Sequence, residues 1–369
     1  MEKTLLLVGG GHAHVYLINK IIKEKQKFKT ILVSSSQYQF YSGMASGYIE
    51  NIYSDTDINF DLKRLCKLGE IEFFEEKVVK IDPKNKNVTL KSGEKIEFDI
   101  ASFDTGSELK IDNKYLDKEK IIGIKPLTNL KKIKEKLRNL NFEKIKILVI
   151  GAGAAGIELS LALKELEKQL NKKIEINILD RGDTLLSTFP KKVQDIVKEK
   201  IYQSSIVLHL NEEVEEIKDK QLITKKGLIL DYDLILWAGG PTSNQIYKNS
   251  GMSVDSKGYM IVNHFLQNVD FEYIFGAGDC ISIQNYSHIK KVGVYAIKEA
   301  PYLWKNILNY FNAKSLEAYI PQNEFLLIIS LGNKKGVLSY KDIVLNGSLV
   351  WKLKNYIDKG FMKKFNTEF

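Results

Sequence analysis

The sequence predicts an α/β fold made of two βαβ units, each built on a glycine turn, and three observations predict it. In Ile147-Leu-Val-Ile-Gly-Ala-Gly-Ala-Ala-Gly-Ile-Glu158, an apolar run from Ile145 leads into Gly151, Gly153 and Gly156, then into an Ala/Leu-rich segment with helical periodicity. The chain opens in the same way, with Leu5-Leu-Leu-Val-Gly-Gly-Gly-His-Ala-His14. Each motif is followed by a hairpin region and a closing strand that ends at a small-residue turn, Asp99 to Ser107 in one half and Asp233 to Pro241 in the other. An internal repeat in this order is far more specific than either glycine motif alone. In such a turn the first glycine lets the chain bend tightly and the second lets the backbone approach a pyrophosphate. The third lets helix and strand pack closely.

In the central unit a second apolar strand, Ile174 to Leu179, ends in Asp180. That is close to the spacing of about 20 residues expected of a carboxylate that binds a nucleotide ribose. Arg181 could meet a 2′-phosphate, but the adjacent carboxylate would repel one, so NADH is expected and NADPH is the alternative. In the N-terminal unit Gly9 and Gly11 fill the first two glycine places and His14 stands at the third. A bulky residue there implies looser helix–strand packing or a side chain that faces the cofactor. Its second strand, Thr30 to Val33, runs into Ser34, a weaker ribose partner than an acid. His12 and His14 are two residues apart and do not share a helix face, so they fit cofactor-adjacent packing better than a metal pair.

The remaining elements follow in order. Phe40 to Tyr48, small and aromatic, suits a loop beside a flat ring, and Asp61 to Lys67 a helix. Ile71 to Phe98 and Glu213 to Leu230 read as hairpins. Lys110 to Lys125 reads as a connection and Leu127 to Leu140 as an amphipathic helix. Pro190 to Tyr202 is expected to be helical, Ile206 to Leu210 a strand, and Tyr259 to Val262 another. Glu272 to Cys280 is a strand that leads to an acid at a tight turn, and a helix begins near Val292. Phe325 to Leu349 is β-like. The tail from Leu349 to Phe365 is an aromatic, lysine-bearing helix that either docks on the protein's own core or lies in a membrane interface.

Composition bounds the function. The 369 residues are 44% hydrophobic and 27% charged, as in ordinary soluble proteins. The net charge of +9 is spread over many lysines, which suits an anionic cofactor or an acidic membrane surface rather than nucleic acid. Cys66 and Cys280, the only cysteines, are far apart and supply neither a CxxC pair nor a disulfide framework, and no metal site is drawn. An apolar strand starting at Leu5 leaves no room for a signal peptide, and no 18-residue apolar run exists. A cytoplasmic enzyme is expected.

With both glycine motifs, both closing turns and Gly276-Ala-Gly-Asp279 in this order, the chain resembles the two-dinucleotide flavoprotein superfamily over essentially its whole length. That superfamily includes pyridine nucleotide–disulfide reductases, type II NADH dehydrogenases and sulfide:quinone reductases. Gly9-Gly-Gly-His-Ala-His14, Tyr41-Ser-Gly-Met44 and the tail Trp351 to Met362 look like the branch associated with selenide, water dikinase. The resemblance implies two Rossmann-like dinucleotide-binding domains. An FAD domain (1–108 and 258–320) would be split around an NAD(P)H domain (109–257), with a small C-terminal β/α region (321–369). It places Gly9, Gly11, His12, His14, Ser34, Ser42, Thr105, Gly106, Gly278, Asp279, Gly293, Val294 and Tyr295 at FAD. It places Gly151, Gly153, Gly156, Glu158, Asp180 and Gly239 at the nicotinamide nucleotide, with Glu158 near the carboxamide. Gly293 to Tyr295, at a helix N-terminus, would face the flavin's pyrimidine edge.

Three departures narrow the activity. Ser42 stands in the loop that carries a reactive cysteine in some relatives. Cys66 and Cys280 read as packed thiols. Val294 and Lys298 replace two glutamines of type II NADH dehydrogenases. The expectation is an FAD-dependent NAD(P)H oxidoreductase with a quinone as the favoured acceptor and no assigned catalytic acid or base. A soluble reductase of a selenium, sulfur or oxygen species, or a flavin-bearing redox sensor, are the alternatives. The oligomeric state is open.

Overall fold

A computed structural model describes residues 2–111, 115, 119–140, 143–170, 172–287, 289, 291–322 and 324–366. Part of the connection expected at 110–125 lies outside the described residues. In chain order, the principal elements begin with β1 (Thr4–Val8), α1 (His12–Glu24), β2 (Lys29–Ser34), β3 (Glu72–Glu75), β4 (Ile100–Phe103) and β5 (Ile121–Gly123). There follow β6 (Lys144–Ile150), α2 (Ala154–Leu170), β7 (Lys173–Leu179), α3 (Lys191–Gln203), β8 (Val207–His209), β9 (Leu234–Trp237), β10 (Ile274–Gly276) and α4 (Gly293–Phe311). The chain closes with β11 (Leu327–Ser330), β12 (Gly336–Tyr340), β13 (Ile343–Gly347) and α5 (Ser348–Asn366).

The chain separates into two compact units. One comprises residues 1–39, 60–108 and 241–322, the other 40–59, 109–240 and 323–369. In the first, a five-stranded parallel sheet has the order β10-β4-β1-β2-β3. Leu5, Leu6 and Leu7 of β1 are wholly buried, as a parallel strand covered on both faces requires. Helices α1 and α4 pack against each other. An antiparallel meander over Val78–Asp82, Asn87–Leu90 and Lys95–Glu97 follows the expected hairpin pattern. Residues 72–75, read with those hairpins, instead extend the parallel sheet through β2.

The second unit repeats the plan with the order β5-β9-β6-β7-β8, all parallel, Ile147 lying opposite Ile176. Its meander, Val214–Ile217, Gln221–Thr224 and Ile229–Asp231, packs Ile217, Leu222 and Tyr232 with Leu148, Leu179 and Ile235 of the sheet. Strand β5 lies inside the segment read as a connection. Three residues are too few to show a period, and pairing with the buried β9 makes them a strand.

Two segments group differently from the sequence boundaries. Residues 40–59 belong to the second unit, where Tyr41 Oη donates to Asp358 (3.1 Å) and Tyr53 Oη to Asn355 (2.7 Å), both acceptors on α5. Residues 40–48 also hold a short helical turn, Ser42–Met44, and a helix, Ala45–Ile49, where a loop was expected. The C-terminal β11-β12-β13 sheet and α5 join that same unit, and 241–257 joins the first. Among the described residues no helix is long and apolar enough to cross a membrane.

Candidate functional site

Two glycine turns carry the candidate chemistry, one in each unit. In the second unit Gly151 follows β6 at φ +113°, a conformation that L side chains rarely adopt. Its N–H donates to Leu179 O at 2.7 Å. A Cβ at Gly156 would lie 1.9 Å from Gly151 O, so only glycine lets α2 start this close to β6. Gly153 is different: it is exposed, and a Cβ there would meet nothing within 4 Å. Its missing side chain therefore leaves room for something outside the protein's own packing.

Asp180, just beyond β7, accepts from Ala152 N through Oδ2 and from Gly182 N through Oδ1, each at 2.7 Å. The carboxylate thus clasps the glycine turn. Gly239 follows β9, with the indole nitrogen of Trp237 2.9 Å from where its Cβ would be. Glu158, one turn into α2, accepts from Ser330 N at 2.7 Å, and burial raises its carboxyl above the usual range against the pull of Lys354. Glu50, which the sequence does not single out, is 4% exposed and accepts from Asn333 N. Burial pushes it up to about 7, and Glu165 and Glu158 add to the rise. Ser42 is exposed and lies in this unit.

In the first unit Gly9 sits at φ +92°, where a Cβ would be 2.3 Å from Asp104 O. At Gly11 a Cβ would stand 2.2 Å from the Asp104 carboxylate. Asp104 directly follows β4, is 3% exposed, and accepts from Ala13 N (2.8 Å) and His14 N (3.3 Å). His14 is wholly buried, with Nδ1 2.6 Å from Gly9 O and Nε2 2.9 Å from Ser102 Oγ. Gly9 O can only accept, so Nδ1 carries the proton and Nε2 accepts from the serine. Burial lowers His14 to about 4, which keeps it neutral. Both ring nitrogens are engaged within the protein: a histidine at the third glycine place replaces close packing with a hydrogen-bonded tie. His12 is also lowered to about 4 by burial, opposed by Asp279.

Of the remaining first-unit residues, Ser107 and Glu299 bond to the turn after β10. Ser34, at the end of β2, donates to Ser36 O at 2.9 Å. Thr105 Oγ1 is 2.7 Å from Tyr247 Oη, and Gly106 (φ +68°) has open space where its Cβ would be. Ser107 donates to Asp279 at 3.1 Å. Gly278 N donates to Glu299 of α4 at 2.6 Å, and a Cβ on Gly278 would approach Asp104 to 2.8 Å. Burial raises Asp104 to about 7 and Glu299 to about 8. Gly293 and Val294 open α4 half-buried, where no side chain caps the helix, and Tyr295 donates to Gln322 O. Cys66 and Cys280 are 1% exposed, and burial pushes each thiol up to about 12. Cys280 also donates to Ala277 O. Neither has the exposed, electropositive setting of a reactive thiolate.

Sequence reasoning missed Asp104 and Glu299. One signal for Asp104 was present: in the repeat its place at the end of the closing strand is taken in the second half by Ala238, which approaches Gly151.

Comparison with known proteins agrees with this architecture. The sequence pattern of the pyridine nucleotide-disulphide oxidoreductase family matches residues 3–305. The NADH dehydrogenase-like protein YutJ of Bacillus subtilis is 23% identical, over 96% of this chain and 97% of that protein. The type II NADH:quinone oxidoreductase of Haemophilus influenzae is 26% identical, over 54% of this chain and 47% of its own. The solved structure of NDH2 from Plasmodium falciparum in complex with NADH superposes with a TM-score of 0.81 at 16% identity, over 99% of this chain and 97% of that one. The chain belongs to the pyridine nucleotide-disulphide oxidoreductase family, and it is an FAD-dependent NAD(P)H oxidoreductase.

Proposed function

We propose that the protein oxidises NADH and delivers the electrons to a quinone at a membrane surface. The observation that carries this reading is an apolar ridge on the C-terminal segment. Ile343 and Leu345 of β13 (54% and 56% exposed) and Leu349, Leu353 and Tyr356 of α5 (77%, 42% and 78%) stand in solvent. Exposed Lys352, Lys359 and Lys363 accompany them. The opposite face of α5, with Val350, Asp358, Met362 and Phe365, is buried. The tail therefore docks one face on the core, one of the two sequence expectations, and presents another to solvent. A lipid-dissolved acceptor needs a reductase that reaches the interface, and an apolar row flanked by cations is the form such contacts take.

The residues of the first unit fit FAD. They offer the glycine turn at α1, the open approach at Gly106, the Asp279 turn, and an α4 N-terminus without a side-chain cap. The second unit fits NADH. Gly153 leaves space at the α2 N-terminus for a pyrophosphate, and the Asp180 carboxylate beside that turn supports holding a ribose hydroxyl and repelling a 2′-phosphate. When bound, FAD supplies the redox chemistry, accepting hydride from the nicotinamide and passing electrons on. The chain binds, orients and screens.

Stopped-flow reduction of the yellow protein by NADH and by NADPH, then reoxidation by a short-chain quinone, oxygen or a disulfide, tests the reading. NADH is expected to reduce it faster than NADPH, and the quinone to reoxidise it fastest. Asp180→Ala is expected to raise KM for NADH about tenfold or more, through loss of a charged hydrogen bond worth about 1.5–3 kcal/mol. Reoxidation by the disulfide alone would overturn the quinone assignment.

A further prediction follows from the two thiols. Cys66→Ser and Cys280→Ser, alone or together, should leave NADH:quinone turnover within about threefold of the parent, with stability lowered by about 1 kcal/mol. A loss above a hundredfold with FAD content intact would mean that electrons pass through a thiol.

A further inference from the structure

The Asp104 carboxylate occupies an unusual place. Its Oδ2 accepts the N–H groups of the second and third residues of α1, Ala13 and His14. Those amides and the helix dipole are where a βαβ unit of this kind holds a dinucleotide pyrophosphate. The corresponding position in the second unit is Ala238, whose side chain cannot accept a hydrogen bond.

The groups that face Asp104 offer little to offset a second anion. From α1 come His12 and His14, both held neutral by burial. From β4 comes Ser102, which bonds the His14 ring. From the turn after β10 come Asp279 and Cys280, from α4 Glu299, and from the short helix Ile246–Asn249 Tyr247. Lys291 lies toward Asp279 and Glu299. Asp279 and the Glu299 carboxyl, itself raised by burial to about 8, therefore already flank Asp104 before any phosphate arrives.

We propose that Asp104 is a cofactor-positioning residue that takes up one proton when the FAD pyrophosphate binds at the N-terminus of α1. The inference rests on the reading that the first unit binds FAD. An ionised carboxylate can only accept and would compete with a phosphate for the same two N–H groups. The neutral acid carries one O–H, which can donate to a phosphate oxygen. The proton comes from solvent, and no other bond is made or broken. Below about 7 the acid already carries the proton and FAD affinity is at its plateau. Above it, each pH unit weakens binding by up to about tenfold, because one proton must be taken up per FAD.

The test follows FAD release from the yellow holoprotein between pH 6 and pH 9, by the fluorescence of free FAD on dilution. It is paired with calorimetric FAD titrations in two buffers of different ionisation enthalpy. The wild-type protein is expected to show Kd rising about tenfold per pH unit above about 7, with uptake of close to one proton at pH 8. Asp104→Asn, isosteric and uncharged, should bind FAD with a pH-flat Kd, no proton uptake, and at least tenfold more tightly than wild type at pH 8.5. Glu299→Gln should keep the wild-type slope. FAD binding by the wild-type protein with a flat Kd and no uptake overturns the inference, even if Asp104→Asn fails to fold. A slope that persists in Asp104→Asn overturns it too. A wild-type protein that holds no FAD overturns the parent reading instead.

Discussion

Gly156→Ala is expected to melt the second unit about 2–12 °C lower, while Gly153→Ala, three residues earlier, leaves the melting temperature unchanged and weakens NADH binding at least about tenfold. The difference lies in what each Cβ would meet. At Gly156 it would stand 1.9 Å from Gly151 O, which is backbone and cannot swing aside. Helix α2 must then move away from β6, whose Ile147, Leu148 and Val149 are wholly buried. Overpacking of this kind costs roughly 1–3 kcal/mol and occasionally more. For a unit of this size each kcal/mol lowers Tm by roughly 2–4 °C. At Gly153 nothing lies within 4 Å, so the methyl group strains no native contact. On the proposed reading it would fill the space through which a pyrophosphate reaches the turn. Thermal melts and the NADH dependence of flavin reduction, run on both variants, separate the two roles. Equal Tm losses, or unchanged NADH binding in Gly153→Ala, would contradict the assignment.

How far the sequence reaches is clearest at these turns. Gly9, Gly151 and Gly156 are legible because a left-handed φ or a backbone contact leaves no alternative residue, and the requirement is local. The parallel strands β1, β2 and β6 are legible because burial on both faces makes their central residues continuously apolar, and β7 because buried Ile174, Ile176 and Ile178 alternate with Glu175 and Asn177. Strand β3 was hidden, since Glu72-Phe-Phe-Glu75 shows no such run and becomes a strand only beside β2. The grouping of residues 40–59 with the second unit was hidden for a related reason. It depends on Tyr41 meeting Asp358, 317 positions away. Asp104 shows the same limit at the candidate site. Its sequence neighbours Thr105 and Gly106 mark a closing turn, but its role lies in amides 91 and 90 positions earlier. His14 was visible as a departure from the glycine pattern. Which partners would engage its ring was not, because Ser102 is 88 positions away.

The largest effect on acceptor chemistry is expected from the ridge on α5. Replacing Leu349, Leu353 and Tyr356 together by serine should weaken binding to vesicles containing anionic lipid by at least a hundredfold. Each large apolar side chain moved from water into an apolar surround contributes about 1.5–3 kcal/mol when fully buried. Partial insertion of three still gives several kcal/mol, and every 1.4 kcal/mol is about tenfold. Lys352, Lys359 and Lys363 remain in the variant, each worth about 1 kcal/mol near an anionic surface, so the residual binding should become strongly salt-dependent. Folding should be indifferent, because the three side chains stand in solvent while Val350, Met362 and Phe365 hold the helix to its unit. Turnover of NADH with a water-soluble quinone should therefore match the parent, while turnover with a long-chain quinone in vesicles falls more than tenfold. Vesicle flotation, a thermal melt and the two assays decide the matter on one preparation. Undiminished flotation and turnover with the vesicle-borne quinone would remove the membrane from the proposed function, and a loss confined to the water-soluble quinone would place the ridge in a different role.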